Sequence, residues 1–191
     1  ELDELFDKAV ALATKPYMKG DKIGIVSTSG GACTIVADKC IELGLKVPDL
    51  TPFGKRQLKE ILPDFGTPQN PFDTTAMIGS DPEFFNKGMK IIANDENIDA
   101  IVLMLTTLAG SVASRVADGI IKFFDKTDKP IVVAWTVAES LAKEGMEKLR
   151  RAGIPLFPSG ERAVKSLKAI YDFNNFQNKR KQSQDLFYLK K

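Results

Sequence analysis

The 191-residue chain contains no histidine, and this absence removes more chemistry than any motif adds. Ser-His-Asp and Cys-His nucleophile systems need an imidazole base, so neither can be assembled within the chain. Histidine-ligated metals and a resident phosphohistidine are excluded with them. Only two cysteines occur, and two sulfurs without histidine make no zinc site. Cys33 and Cys40, seven apart on one expected helix face, read as small core residues of a reducing compartment. No apolar run approaches the ~20 residues of a membrane span. The opening Glu1-Leu2-Asp3-Glu4 is acidic, wrong for a signal or transit peptide, so a cytoplasmic location is expected. A dominant charge is lacking too. Residues 174–191 hold five of the bases against one acid, leaving 22 bases and 24 acids in the body, which is no nucleic-acid footprint.

What is present is a core-forming composition, 43% hydrophobic and 27% charged, with strands and helices in alternation. Residues 1–15 carry a helical period with Leu5, Phe6, Val10 and Leu12 on the apolar side, and Pro16 ends it. Strands are expected over 23–28, 45–50, 98–107, 129–136 and 154–158. The second, interrupted by Pro48, should lie at an edge. Helices are expected over 31–43, 53–63, 82–94 and 138–152, after the small-residue turn at 106–111, and from Ser159 to about Tyr171. Segment 65–75, FGTPQNPFDTT, is the one long irregular stretch. Nearly continuous Val/Ile/Leu strands joined by helices imply right-handed βαβ units. The fold class is α/β: a flavodoxin-like three-layer fold with five parallel strands in the order 2-1-3-4-5. Residues 1–20 then form a helix and lead-in, 21–171 the domain, and 172–191 a basic tail or linker.

In such sheets ligands bind beyond the carboxyl ends of the strands, where the strand order reverses. That places the STSGG turn (27–31) beside the TTLAGS turn (106–111). Each joins a strand to a helix start crowded with backbone N–H groups, a geometry that holds anions. Familiar sites fail there. STSGGA is not G-x-G-x-x-G, G-K-[ST] occurs nowhere, and Ser29 lacks a base. Strands 1 and 3 end in Thr28 and Thr106 where a phosphoacceptor receiver domain needs acids. A flavin-mononucleotide loop stays open, with Trp135 as the one aromatic near the turns.

The set ALATKPYMKGDKIGIVSTSGG (11–31), LPDFGTPQNPFDTT (62–75), DAIVLMLTTLAG (99–110), KPIVVAWT (129–136) and AGIPLFPSGERAVKSL (152–167), with N-P-x-D between the halves, resembles the C-terminal CoA-ligase domain of NDP-forming acyl-CoA synthetases. These are the relatives of succinyl-CoA synthetase and ADP-forming acetyl-CoA synthetase. The resemblance implies a fragment of an enzyme that interconverts acyl-CoA, NDP and phosphate with acid, CoA and NTP through an acyl phosphate and a phosphohistidine. It implies no catalytic residue and no metal ligand in this chain, the phosphohistidine lying on a sister ligase domain. CoA, ATP/ADP and Mg are expected on partner domains or subunits (CoA-binding, phosphohistidine ligase, ATP-grasp) of an oligomer, with none bound tightly here and the isolated chain inactive. The domain is expected to offer a helix N-terminus to the phosphoryl group. The resemblance favours Thr106, Thr107, Ala109, Gly110 and Ser111, where Ala109-Gly110 replaces the family's double glycine. Ser29, Gly30 and Gly31 form the second candidate and are equal on physics alone.

Asn70 and Asp73 have two readings each: support of the phosphate site, with Asp73 orienting a neighbour or capping Thr74–Thr75, or plain turn geometry. Ser29 reads as a helix N-cap, Trp135 as rim packing, Glu139 as a helix-start acid and Arg115 as a solvated face. The alternative function is a non-catalytic, phosphate- or nucleotide-binding or regulatory flavodoxin-like domain. A flavin electron carrier would be yellow.

Overall fold

The computed structural model describes residues 1–15, 17–64, 66–74 and 81–188, without the side chains at 82 and 182–188. Pro16 and Thr75 therefore lie outside the described residues. The elements run α1 (Leu2–Thr14), β1 (Ile23–Ser27), α2 (Gly30–Glu42), α3 (Pro52–Ile61), β2 (Phe72–Asp73), α4 (Pro82–Asn94), β3 (Ala100–Leu105), α5 (Gly110–Phe124), β4 (Ile131–Trp135), α6 (Glu139–Arg151), β5 (Leu156–Phe157) and α7 (Gly160–Tyr188). All strand pairs are parallel, in the order β2-β1-β3-β4-β5. This is the α/β flavodoxin-like arrangement expected from the alternation of elements.

The sheet is covered on both faces, as its apolar strands require. Successive side chains point to opposite faces. Ile101, Leu103, Leu105, Ile131, Val133 and Trp135 enter a core shared with α3, α4, α5 and α6. Ile23, Ile25, Val102, Met104, Val132 and Ala134 enter a core shared with α1, α2 and α7. Cys33 and Cys40 are buried in the second core. Burial pushes both thiols up to about 12, for Cys33 with help from the Asp73 carboxylate and opposed by Ser27. Neither thiol is expected to react with a disulfide reagent at pH 8 until the chain is unfolded. The folded thiols keep protons that unfolded ones lose above about pH 8.5. Stability is therefore complete below that pH and falls as pH climbs toward 12, which urea midpoints at pH 8 and 10.5 will show.

Three expectations are corrected. Segment 45–50 is not the second strand: Lys46 makes a single bridge to Lys22, and Pro48, with no N–H, ends the pairing. The strand beside β1 is Phe72–Asp73, inside the stretch read as irregular. Its two residues are too short for any period to announce. The apolar side of α1 faces outward: Leu5, Phe6 and Val10 are exposed and Ala11 is the buried residue. Asp7 and Asp3 instead face α7, where Arg162 binds Asp7 through Nε at 2.5 Å. Finally, α7 continues past Tyr171 to Tyr188, and Asn174, buried, accepts the Met18 N–H at 2.5 Å. The first part of the supposed tail thus packs on the body.

Candidate functional site

The strand order reverses between β1 and β3, and the two polar turns meet there. Thr28 follows β1 and Thr106 follows β3. The Thr28 hydroxyl donates to the Thr106 carbonyl at 3.0 Å, and the Thr106 N–H donates to Thr28 Oγ1 at 2.8 Å. Their two hydroxyls are also 3.0 Å apart. With the Thr28 N–H on Met104 O at 3.1 Å, this clasp fixes one turn against the other. Trp135, at the end of β4, is fully buried and not at the rim as expected. Its indole N–H donates to Leu108 O at 3.3 Å, so it holds the second turn from below.

Thr28 is the member of this clasp that the sequence reading does not single out, although a signal exists: both adjacent strands end in threonine. Thr28→Val leaves the Thr106 amide without its acceptor in a partly buried site. A loss of about 1–3 kcal/mol is expected, the cost of an unsatisfied buried donor, while Thr28→Ser retains the hydroxyl and most of the stability. Urea denaturation of both variants tests this.

The two helix starts differ in what already occupies them. At α2, Ser29 is the N-cap, as read, and its side chain accepts weakly from Ala32 N–H at 3.5 Å. The Asp73 carboxylate stands over the same first turn: a Cβ on Gly30 would meet Asp73 Oδ2 at 2.8 Å. At α5 the N-cap is Ala109, which has no capping side chain, and the first turn contains no acid. The other helices that follow a strand start against negative charge, with Asp81 capping α4 and Glu139 and Glu161 in the first turns of α6 and α7. Among the described residues, α5 alone among these helices begins with neither a capping side chain nor an acid. The first-turn amides and about half a positive charge of helix dipole stand at that end, where Gly110 and Ser111 are exposed.

The turn leading there is bent by two residues of positive φ, Thr107 at 57° and Gly110 at 56°. Glycine accepts that conformation, while β-branched Thr107 stores about 1–2 kcal/mol of strain, of the kind that collects at functional turns. At the opposite pole of α5, the Lys15 ammonium donates to the carbonyls of Phe124 and Thr127. Desolvation lowers the Lys15 pKa. A clasp then secures the helix flank: Ser114 donates to Glu144 at 2.8 Å, and Lys148 donates to Ser114 at 2.7 Å and to Asp118 at 3.0 Å. The Asp118 carboxylate first, and Glu144 beside it, hold the Lys148 ammonium above its ordinary range against desolvation. One end of α5 is thus neutralised and its flank fixed, while the other end meets no capping side chain among the described residues.

Asn70 and Asp73 part company. Asn70 is buried behind a cis Asn70–Pro71 bond and serves the outer edge of β1. Its Oδ1 accepts Ile25 N–H at 2.9 Å, and its Nδ2 donates to Ile23 O at 2.8 Å and Pro48 O at 3.0 Å. It stands where a strand residue would stand, well behind the turns. Asp73 does reach a turn, that of α2. Glu139 is tied to Arg150 at 2.6 Å, whose hydrogen bond holds its carboxyl below the usual range, and Arg115 is exposed, both as read. Two cavities of about 740 and 610 Å³ lie elsewhere, lined by residues such as Phe53, Arg56 and Lys90 and by Tyr17, Lys19 and Lys129. No group of residues that could hold a metal ion occurs among the described residues, and no described helix is long and apolar enough to cross a membrane.

Fold and turns together define a parallel α/β domain that presents an open helix pole at its topological switch point. Comparison with known proteins gives it a family. Residues 23–179 match the model of the Ligase-CoA domain, and the chain belongs to that family. It is 30% identical over 186 residues to the alpha subunit of ADP-forming acetate–CoA ligase I of Pyrococcus furiosus, covering 95% of this chain and 39% of the relative. It is 29% identical over 185 residues to ADP-forming acetate–CoA ligase I of Archaeoglobus fulgidus, covering 97% and 25%. The fold is that of the acetyl-coenzyme A synthetase 1 of Candidatus Korarchaeum cryptofilum solved with phosphate and ADP (TM-score 0.83, 21% identity, 96% of this chain and 39% of that one). The chain thus spans between a quarter and two fifths of the length of these relatives.

Proposed function

We propose that this chain is the ligase-domain part of an ADP-forming acyl-CoA synthetase and that its α5 N-terminus receives the phosphoryl group in transit. One observation carries the reading: among the described residues, α5 is the strand-following helix whose first turn is neither capped by a side chain nor shadowed by a carboxylate. The backbone N–H groups of Gly110, Ser111 and Val112 would donate to phosphoryl oxygens, and the dipole would add its field. Fixed donors need no reorganisation as charge moves, so the pole stabilises the phosphorylated state without reacting. Ser29, Gly30 and Gly31 are the weaker candidates, because Asp73 stands over their turn. Thr106 is a positioning residue in this reading, its hydroxyl being committed to Thr28.

With no histidine in the chain, the phosphoryl carrier belongs to another domain or subunit. CoA, the adenine nucleotide and its magnesium are assigned to other domains as well, so the chain alone would not turn over. The overall reaction is acyl-CoA with ADP and phosphate giving acid, CoA and ATP, through an acyl phosphate. The test is phosphorylation of the whole synthetase carrying this chain with radiolabelled ATP. An acid-labile, base-stable label on a histidine outside residues 1–191, discharged by acid substrate with CoA, is expected. An acid-stable label, or none, contradicts the proposal.

A further inference from the structure

The cavity of about 740 Å³ between α3 and the end of α4 has a volume within the ~300–1,000 Å³ of small-molecule sites. It stands at the amino edge of the sheet. Lys46, ahead of α3, bridges Lys22, ahead of β1, and Asp95, after α4, closely precedes β3. The Thr28–Thr106 turns lie at the other edge, one strand length or about 16 Å away. The phosphoryl site therefore does not account for this cavity.

Sequence spacing sets its lining. Phe53, Arg56 and Gln57, at i, i+3 and i+4, share one face of α3, while Lys90 and Asn94, at i and i+4, share one face of α4. The Phe53 ring is 61% exposed, and the Arg56 guanidinium stands 5.9 Å from its centroid, within cation–π range. Neighbouring Lys55 is spent on Asp49 at 2.8 Å. Among the described residues, Arg56 and Lys90 pair with no carboxylate, and the Gln57 and Asn94 amides have no side-chain hydrogen bond. The buried acid in the wall, Asp95, is already satisfied. Its Oδ2 accepts the Thr51 N–H at 3.0 Å and hydroxyl at 2.7 Å, and its Oδ1 accepts the Asn97 N–H at 2.9 Å. Gly54 packs so closely on the same carboxylate that a Cβ there would collide with it. The start of α3 is thus locked to the end of α4, and the cavity is preformed.

This set of groups fits one ligand class. An exposed ring is a platform for a stacked base, two unpaired cations from two helices suit phosphate oxygens, and a carboxamide pairs with the N6/N7 edge of adenine. Glu96, exposed at the end of α4, is an acceptor for a ribose hydroxyl and repels phosphate toward Arg56 and Lys90. We propose that this cavity binds an adenine nucleotide, its base on Phe53 and read by Gln57 or Asn94, its phosphates on Arg56 and Lys90. A free nucleotide and the adenosine end of CoA offer this chemistry alike. The assignment is independent of the phosphoryl-transfer reading.

Nitrogen-15 amide spectra of the chain, titrated with ADP, CoA, adenosine or pyrophosphate into the millimolar range, test it. Saturable shifts at Phe53, Gly54, Gln57 and Asn94 are expected with ADP or CoA, and the tighter of the two identifies the source. Adenosine and pyrophosphate, each with part of the contacts, should bind at least tenfold more weakly. Phe53→Ala should weaken binding about tenfold or more, the worth of one stacked base. Lys90→Gln should cost about tenfold, as loss of a charge-assisted contact does. Both positions are exposed, so the rest of the spectrum should be unchanged. Pyrophosphate binding as tightly as ADP, affinity indifferent to Phe53→Ala, or no shift at these residues with either ADP or CoA overturns the assignment. Shifts confined to Gly110 and Ser111 overturn it as well, while supporting the α5 pole.

Discussion

Ala109→Asp is expected to make the domain more stable and the synthetase nearly inactive. Ala109 has the extended backbone of an N-cap, φ −140° and ψ 167°, and lacks only the side chain. An aspartate there can accept from the amides of Ser111 or Val112 and complement the dipole. Such caps contribute about 0.5–2 kcal/mol over alanine, so the melting temperature should rise by a few degrees. The same carboxylate consumes the donors that the phosphoryl group would use and sets a negative charge against it. Loss of one preorganised donor from a charge-stabilising site costs about 10²–10³ in rate. Phosphoryl transfer in the whole enzyme should therefore fall at least 100-fold. Ser29→Ala, which weakens the cap of α2, should lower stability by up to about 1 kcal/mol and leave transfer within a few-fold of normal. Had α2 been the phosphate pole, these two outcomes would exchange places. Stability and activity moving in opposite directions at Ala109 is what a merely structural helix start does not produce.

The largest effect on folding is expected at Asn70. Its side chain supplies one acceptor and two donors to backbone groups along the outer edge of β1. Asn70→Ala strands the Ile25 amide and the Ile23 carbonyl in the interior, each at about 1–3 kcal/mol, together with the Pro48 carbonyl. A destabilisation of about 3–5 kcal/mol follows, a large share of the ~5–15 kcal/mol that holds a domain together. Asn70→Asp keeps the acceptor for Ile25 but sets a carboxylate against two carbonyls, so it should be no better tolerated than alanine. Urea denaturation followed by tryptophan fluorescence reads both, since Trp135 is the single indole and is buried.

Asn70 also shows where sequence reading reached its limit. The strands rich in Val, Ile and Leu, β1, β3 and β4, announced themselves because both of their faces are buried, and from them the parallel fold and strand order follow. The short strand expected over 154–158 forms as β5 at Leu156–Phe157, but β2 carries no such signal. β2 pairs through two residues only, and the rest of that edge is made by one side chain and by Thr74, whose N–H and hydroxyl both donate to Ser27 O, at 2.8 and 2.9 Å. Contacts of that kind depend on which backbone groups the fold leaves unpaired. The outward apolar face of α1 misled for a related reason: periodicity finds the apolar side of a helix but does not say whether that side meets its own core. At the site, both turns were legible as anion-holding geometry. The distinction between them was not, because it rests on Asp73 arriving at Gly30 from 43 residues away. The Thr28–Thr106 clasp needed only the strand order and the two terminal residues, and was within reach.

The central claim is that the open N-terminus of α5 is the anion pole of this domain. A nitrogen-15 amide spectrum of the chain titrated with inorganic phosphate into the millimolar range tests it most directly, since Gly110, Gly30 and Gly31 resonate in the separate glycine region. The account predicts saturable shifts at Gly110, Ser111 and Val112, absent in Ala109→Asp, with Gly30 and Gly31 still. Shifts confined to Gly30 and Gly31, or to neither turn, would contradict it.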